Sequence, residues 1–272
     1  MAVNDVHKDF KYIGLIILLT IFSFYIEPIN TQILTLSAFN AQKEPEELKK
    51  ININLNNSAV SYGICNLYTM EKSKMSSSEA DYYAVSLGAD AFLAEESEAF
   101  IYSLKDNTLK IYKNECRLSI IPNSSLVSDK KISSEEALNI SRKLYSEYFP
   151  ESGYEEALVS VENEIYKISF IKRLENIRNM AFIDSISLNL DGSLISIDHY
   201  FINYIPSGKA NTININEALK RLSASFNFEN LSITNYMLVY VYDNGIIQPA
   251  YYFKGILNNE ENFEAYIPAS KE

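Results

Sequence analysis

The sequence predicts an α+β fold in which an N-terminal transmembrane helix precedes an ectodomain of antiparallel sheets, each packed with a helix. Three observations favour this class. Residues 12–26 form one apolar run, a helix-start pattern occurs twice in the second half of the chain, and alternating apolar and polar residues between turn signals fill most of the rest. A membrane-tethered protein with one water-soluble body follows from this arrangement.

The apolar run at residues 12–26 is predicted to be a single membrane span. Its fifteen residues rise about 22 Å as a helix, slightly less than a hydrocarbon core of about 30 Å. Lys8 and Lys11 precede the run and the next lysine is Lys43, which places the N-terminus in the cytoplasm and the body outside the cell membrane. A cleaved signal peptide and a buried core helix are the two alternatives.

Small and polar residues within the span are the candidates for helix–helix contact. Lipid provides no hydrophobic incentive between helices, so association uses such residues. Gly14, Thr20 and Ser23 are available, and Thr20 and Ser23, three positions apart, can share one helix face. They are the predicted contact edge, with merely tolerated polar residues as the alternative.

Composition excludes several function classes. The formal net charge of −11 argues against binding of nucleic acid or of an anionic lipid surface by bulk electrostatics. The chain has two cysteines, Cys65 and Cys116, and two histidines, His7 and His199. His7 belongs to the predicted cytoplasmic end, so the body has three such residues, fewer than the roughly four ligands that a zinc site needs. We expect no metal and no cofactor. The cysteines are either two buried thiols or one disulfide.

Shifts in composition and turn signals divide the chain into segments. The predicted segments are a cytoplasmic end at 1–11, the transmembrane helix at 12–26, a polar stalk at 27–50, an α/β subdomain at 51–128, and two helix-plus-sheet modules at 129–210 and 211–272.

An internal echo supports the two modules. ISSEEAL begins at Ile132 and ININEAL begins at Ile213, 81 residues later. In each copy a capping residue, Ser133 or Asn214, stands three positions before a glutamate, which is the spacing of a capping box. Strand-like segments follow each predicted helix. We therefore expect two copies of one unit in which a helix is followed by an antiparallel sheet.

Asp191 and Gly192 predict a two-residue hairpin turn within the first module. The turn fixes the register, because side chains on a strand alternate between faces. The predicted pairs are Phe182 with Phe201, Asp184 with His199, Ile186 with Ile197 and Leu188 with Ile195.

The Asp184–His199 pair is the candidate polar site of the body. Asp198 is adjacent to His199 on the strand and therefore points to the other face. No serine lies on the face of His199 between Phe182 and Phe201, and the common catalytic motifs are missing from the sequence. We expect no catalytic residues. A structural pair within an apolar face is the favoured interpretation, and a pH-sensitive pair and catalysis are the alternatives.

Tyrosines concentrate near the C-terminus and have two interpretations. Tyr240, Tyr242, Tyr251 and Tyr252 lie in strand-like segments, where strand propensity and sheet packing favour tyrosine. Tyrosine is also enriched at protein interfaces. These four residues are therefore the interface candidates of the ectodomain.

The C-terminal stretch LVYVYDNGIIQPAYYFKGILNNEENFEAYIPA resembles the carboxyl end of the YycH and YycI regulatory proteins. The resemblance rests on residues 249–253 (PAYYF) and 267–269 (IPA). Tyr251 departs from it, since tryptophan is commoner there. The EAL helix followed by strands is also similar to a PepSY-type module. Together these features cover residues 132–269, and chain length fits YycI better than YycH.

The resemblance implies a non-enzymatic regulator of a WalK-type sensor histidine kinase, a two-component signalling protein of the cell wall. Its partners would be the kinase and a sister membrane-anchored regulator, with residues 12–26 in the membrane. The alternative is an exported PepSY-type module that inhibits or assists a peptidase, or acts in germination or wall processing.

Overall fold

The computed structural model describes residues 50–53, 63–71, 74–124, 128–258 and 261–271. The predicted membrane span, its contact candidates Gly14, Thr20 and Ser23, and nearly all of the stalk lie outside these ranges. In the part of the chain that the structure describes, no helix is both long and apolar enough to cross a membrane.

The described chain is an α+β protein dominated by antiparallel strands. Its helices are α1 (Ser77–Ser86), α2 (Ser134–Tyr148) and α3 (Ile215–Ser225). Its strands are β1 (Lys50–Ile53), β2 (Ile64–Met70), β3 (Ala91–Glu95), β4 (Ala99–Leu104), β5 (Asn107–Tyr112), β6 (Arg117–Pro122), β7 (Glu156–Glu162), β8 (Ile165–Ile171), β9 (Arg173–Leu174), β10 (Ile177–Asn179), β11 (Asp184–Asn189), β12 (Leu194–Tyr200), β13 (Tyr204–Asn211), β14 (Asn230–Asp243), β15 (Ile246–Leu257) and β16 (Glu261–Pro268).

The chain divides into two compact units. The larger unit contains Asn66–Ala210 and Val239–Gln248, and the smaller unit contains Asn211–Leu238, Pro249–Glu272 and the described part of Met1–Cys65. Val239–Gln248 is the tip of the β14–β15 hairpin.

An eight-stranded antiparallel sheet forms the centre of the larger unit. Its strand order is β3-β4-β5-β6-β12-β11-β8-β7, and α1 and α2 pack against it. Strand propensity of the isoleucine-rich segments explains the sheet, and Ile120, Ile168, Ile186 and Ile197 are fully buried beneath the helices. The buried face of this sheet is therefore the main core of the unit.

The smaller unit contains α3 and a second antiparallel meander. The strands β14, β15 and β16 follow one another, with β1 parallel to the start of β14. Helix α3 packs on β16. Ala218, Leu222, Leu231 and Phe253 are completely buried between helix and strands.

The two units do not follow all of the predicted segments. The predicted subdomain at 51–128 and the predicted module at 129–210 share one sheet, because β6 pairs with β12. The pairing runs from Arg117 opposite Tyr200 to Ile120 opposite Ile197. The expected boundary near residue 128 therefore does not separate two compact units. Cys65 and Cys116 are both buried thiols.

Both predicted helix starts are present, but only the first has a complete capping box. The Ser133 hydroxyl accepts from the Glu136 amide, and the Glu136 carboxylate accepts from the Ser133 amide. Asn214 accepts from the Glu217 amide at 2.9 Å. The return bond seen at Ser133 is not formed between this second pair of described residues.

The predicted two-residue turn at Asp191 and Gly192 is wrong. The Gly192 amide donates to the Asn189 carbonyl and the Asn189 amide donates to the Ser193 carbonyl, both at 2.9 Å. These bonds enclose a three-residue loop at 190–192, and Gly192 has the positive φ of +87° that follows the turn in such loops.

The longer loop shifts the pairing of β11 with β12 by one residue next to the turn, and a bulge in β12 restores the predicted pairing further along the strands. Leu188 lies opposite Leu194 rather than the predicted Ile195, whereas Ile186 lies opposite Ile197 as predicted. Ile195 is the extra residue. Phe182 and Phe201 lie outside the two strands and do not pair; Phe182 packs on Tyr200 and Phe201 stacks on Tyr83.

Candidate functional site

The candidate site of the larger unit is a hydrogen-bonded cluster around Asp184, the first residue of β11. Asp184 is 1% exposed, and both of its carboxylate oxygens accept hydrogen bonds. The donors to Oδ2 are Tyr145 Oη at 2.6 Å, His199 Nδ1 at 2.9 Å and Lys172 Nζ at 3.0 Å, and the donor to Oδ1 is the Tyr200 amide at 2.8 Å.

His199 reaches Asp184 from β12, so the predicted contact is confirmed. Its ring stacks on Phe149 with a centroid distance of 4.0 Å and an interplanar angle of 15°. Asp198 points to the other face, as strand alternation predicts, where it accepts from Ser119 and from Arg117 Nη1 at 3.2 Å. The two neighbouring residues therefore belong to separate polar networks.

The ionisation of Asp184 follows from its partners. Burial alone would raise the pKa of this carboxyl, but the hydrogen bond and attraction of His199, the Lys172 ammonium and the Tyr145 hydroxyl together lower it below its ordinary value. Burial and the Asp184 charge raise the pKa of the Tyr145 phenol. Asp184 is therefore a carboxylate at neutral pH and Tyr145 remains a donor to it.

This arrangement holds an ionised carboxylate in place and leaves it little capacity for other chemistry. Oδ2 already accepts from three side chains and Oδ1 from a backbone amide. Lys172 is the most accessible member, with 28% of its side chain exposed. Among the described residues, no group of three or more His, Cys, Asp or Glu side chains is placed to hold a metal ion.

The two predicted modules anchor their helices in the same way. We call β7, β8 and β11 the first, second and third strands of the first module, and β14, β15 and β16 those of the second. In each module the isoleucine before the capping residue donates its amide to the carbonyl of the residue just after the third strand. Its own carbonyl accepts from the hydroxyl of a tyrosine on the second strand. The bonds are Ile132 N to Leu190 O at 2.8 Å and Tyr166 Oη to Ile132 O at 2.6 Å in the first module, and Ile213 N to Ala269 O at 2.7 Å and Tyr251 Oη to Ile213 O at 3.0 Å in the second.

These shared bonds align the two modules residue by residue. Tyr166 lies opposite Leu188, and Tyr251 lies opposite Ile267. Four residues earlier on the third strand, the first module has Asp184 and the second has Phe263. The modules therefore correspond at the position of the candidate site.

The second module fills the equivalent space with two phenylalanines. Phe226, which is 81 residues after Tyr145, contacts Phe263 edge to face with ring centroids 5.4 Å apart. The hydrogen bond between Tyr145 and Asp184 is thus replaced by an aromatic pair. Because the same arrangement of helix and strands forms without the polar cluster, the cluster is the feature of the first module that the fold does not require.

Burial corrects two of the four interface candidates. Tyr240 is 0% and Tyr251 is 3% exposed, so neither side chain offers a surface to a partner. Tyr251 instead bonds the helix α3 start. Tyr242 packs on Phe182 and Tyr252 packs on Tyr266, and both are half-buried. Their role at an interface stays a prediction.

Sequence reasoning missed Tyr145 and Lys172. A signal for Tyr145 exists: Ala137, Ser141 and Tyr145 recur every fourth residue of α2 and are all buried. A buried tyrosine needs a partner for its hydroxyl. Lys172 follows β8 and carries no comparable pattern.

Comparisons with known proteins reveal no family. No family model matches the chain, and no curated protein matches it. The C-terminal domain of Bacillus megaterium YpeB aligns with a TM-score of 0.43 and 15% identity, over 74% of this chain and 95% of that domain. An uncharacterized protein from Eubacterium rectale ATCC 33656 aligns with a TM-score of 0.41 and 12% identity, over 80% of this chain and 85% of that one. Such values do not establish a shared function.

Proposed function

We propose that this protein acts by contact rather than catalysis, as a membrane-anchored extracytoplasmic regulator of a WalK-type sensor histidine kinase. The observation that supports contact is the closed Asp184 cluster. The one His–Asp pair of the described residues is buried, and its carboxylate is bound on both oxygens. The kinase itself comes from the resemblance of residues 249–253 and 267–269 to YycH and YycI proteins.

The transmembrane helix is the proposed effector. A body outside the membrane influences a cytoplasmic kinase domain only through proteins or helices that cross the bilayer, and residues 12–26 are the segment proposed to cross it. Thr20 and Ser23 form the proposed contact edge toward the kinase helices. Gly14, six positions before Thr20, is a further contact candidate that does not share their stripe. The ectodomain would pair with a sister regulator, which would set the position of this helix.

Replacement of the contact edge tests the proposal. Thr20→Leu combined with Ser23→Leu should change the output of the partner kinase while export and folding of the body stay intact. The matched control combines Ile21→Leu with Phe22→Leu, since these residues would lie on the opposite face of the proposed helix. Unchanged kinase output in the first pair, or equal change in both pairs, contradicts the proposal.

The two matching modules support a second candidate, an exported PepSY-type protein that inhibits or assists a peptidase, or acts in germination or wall processing. Its tether would serve location only. Exchange of residues 12–26 for an unrelated transmembrane helix separates the candidates. The kinase regulator should lose its effect, whereas the peptidase modulator should keep it.

A further inference from the structure

An exposed apolar surface lies in the larger unit, well away in sequence from the Asp184 cluster. Of the ten large apolar side chains that are exposed in the described residues, four fall within a short stretch of α1 and β3. They are Tyr82 (72% exposed), Val85 (74%), Phe92 (53%) and Leu93 (57%). A cluster of such side chains on a soluble surface marks an interaction site more often than single exposed residues do.

Contacts beneath the surface connect its helical and strand parts. The Phe92 ring meets Tyr102 of β4 at a centroid distance of 5.5 Å. The Tyr102 hydroxyl donates to Asp81 of α1 at 2.7 Å. Phe92 therefore lies on the side of the sheet that α1 covers, next to the helix that carries Tyr82.

Strand β3 offers backbone groups as well as side chains. It is the end strand of the eight-stranded sheet, and in the described ranges it pairs with β4 alone. All five of its residues are exposed. The outer edge of such a strand presents N–H and C=O groups to a further strand.

Charge disfavours a second copy of this chain as the occupant. The register of β3 shifts between Phe92 and Ala94, so Leu93 is a bulge, which interrupts the edge for any added strand and does not select between occupants. The strand ends in Glu95, which is paired with Lys113 at 2.7 Å, and is flanked by Asp90, Glu96 and Glu98. Two such acidic edges would repel each other.

We propose that β3 and the exposed face of α1 bind an extended, lysine- or arginine-flanked apolar segment of a partner protein, which adds a strand to the sheet. The acidic flanks are complementary to such a segment, and Val85, Phe92 and Leu93 supply its apolar contacts. The inference rests on the proposed function only in that the protein acts by contact, and it holds for any partner with this chemistry.

The opposite edge of the same sheet provides a matched control. Val161 on β7 is 53% exposed, close to the 57% of Leu93, and β7 is the other end strand. Leu93→Lys and Val161→Lys therefore make the same chemical change at comparable exposure. Val85→Lys on α1 is a second variant of the proposed surface.

The experiment measures binding of a short labelled peptide of alternating valine and lysine to the full-length protein in detergent. We expect saturable binding with hydrogen-exchange protection of Ala91–Glu95. Leu93→Lys and Val85→Lys should weaken it about tenfold or more, because a lysine repels the peptide and removes an apolar contact. Val161→Lys should leave it unchanged, and a valine–glutamate peptide should not bind.

Several results would overturn the inference. One is that the peptide does not bind saturably, and another is that Leu93→Lys and Val161→Lys weaken its binding equally. The inference also fails if bound peptide protects the chain from hydrogen exchange outside Ala91–Glu95, or if Ala91–Glu95 is already protected by another part of the chain before peptide is added. A concentration-dependent dimer abolished by Leu93→Lys would make a second copy the occupant. In each case the proposed function would still be supported if Thr20→Leu combined with Ser23→Leu changes the output of the kinase.

Discussion

The first and second helix-plus-sheet modules differ in what lies between helix and strands. Both fix the start of the helix by the same pair of bonds from the preceding isoleucine, Ile132 or Ile213. Beneath the helix, the first module places the ionised Asp184 with its donors, and the second places Phe226 against Phe263. The two modules thus share the anchoring bonds, whereas the side chains beneath the helix are polar in one module and aromatic in the other.

This difference bears on how the buried charge is interpreted. Replacing a buried ion pair by well-packed apolar residues of similar volume is often neutral or stabilising, whereas removing one partner of the pair is costly. The second module is an apolar solution to the same packing problem. We therefore expect the cluster in the first module to add specificity of structure rather than stability beyond that of an apolar interior.

The largest effect should come from neutralising the central carboxylate. Asp184→Asn should destabilise the protein by about 3–5 kcal/mol, because the buried cluster loses the carboxylate that pairs with the Lys172 ammonium and accepts from Tyr145 and His199. Phe263→Leu at the equivalent position should cost about 1–2 kcal/mol, because it removes only part of a buried ring. Urea unfolding followed by tyrosine fluorescence measures both, since the chain has no tryptophan. Equal costs at the two positions would refute the contrast between the modules.

Acid should remove the stability difference between the wild-type protein and Asp184→Asn. The pKa of Asp184 is lower in the folded protein than the ordinary 3.8. Its ionisation therefore adds fully to the free energy of unfolding above about pH 4, and this contribution is lost as the pH falls through the lower folded-state pKa. The difference in unfolding free energy between wild type and Asp184→Asn should therefore shrink steadily below about pH 4. Unfolding curves over a pH series check this, and a difference that grows toward low pH would contradict it.

The shared anchoring bonds should have similar strengths. Tyr166→Phe and Tyr251→Phe each remove one hydroxyl that donates to a backbone carbonyl before a helix. Each should cost about 1 kcal/mol, measured by urea unfolding. A cost confined to one of the two variants would mean that the modules do not share this anchor.

The smallest effect concerns the first hairpin turn of each module. The turn residues are Asn163 and Glu164 in one and Asn244 and Gly245 in the other, all with positive φ, and Gly is the residue best suited to the second position. Glu164→Gly should stabilise by up to about 1 kcal/mol and Gly245→Glu should destabilise by a similar amount. Thermal unfolding distinguishes the two signs, and a destabilising Glu164→Gly would refute the comparison.

Local signals predicted much of this fold and long-range pairing was the main failure. Capping residues and the following Ala-Leu placed both α2 and α3, because helix starts depend on neighbours in sequence. The pairing of β6 with β12 joins segments far apart in the chain. No local pattern indicates that β12 pairs with β6 rather than with another strand, so the boundary expected near residue 128 could not be corrected from sequence.

The Asp184–His199 contact was predicted correctly for an incomplete reason. A two-residue turn at Asp191 was assumed, whereas the loop has one residue more and Ile195 forms a bulge. The two deviations cancel before the strands reach Ile186 and Ile197. Tyr145 could not be assigned to the cluster, because the register of a helix over a sheet depends on packing rather than on turns.

The isoleucine anchors also constrain the order in which the protein can assemble. Ile132 is made well before Tyr166 and Leu190, the residues that satisfy its carbonyl and amide. A nascent chain thus carries α2 with its apolar stripe only partly covered, by β7 and β8, until β11 has been synthesised. Truncation between β8 and β11 should therefore leave apolar surface of α2 exposed and make the shortened chain prone to aggregation.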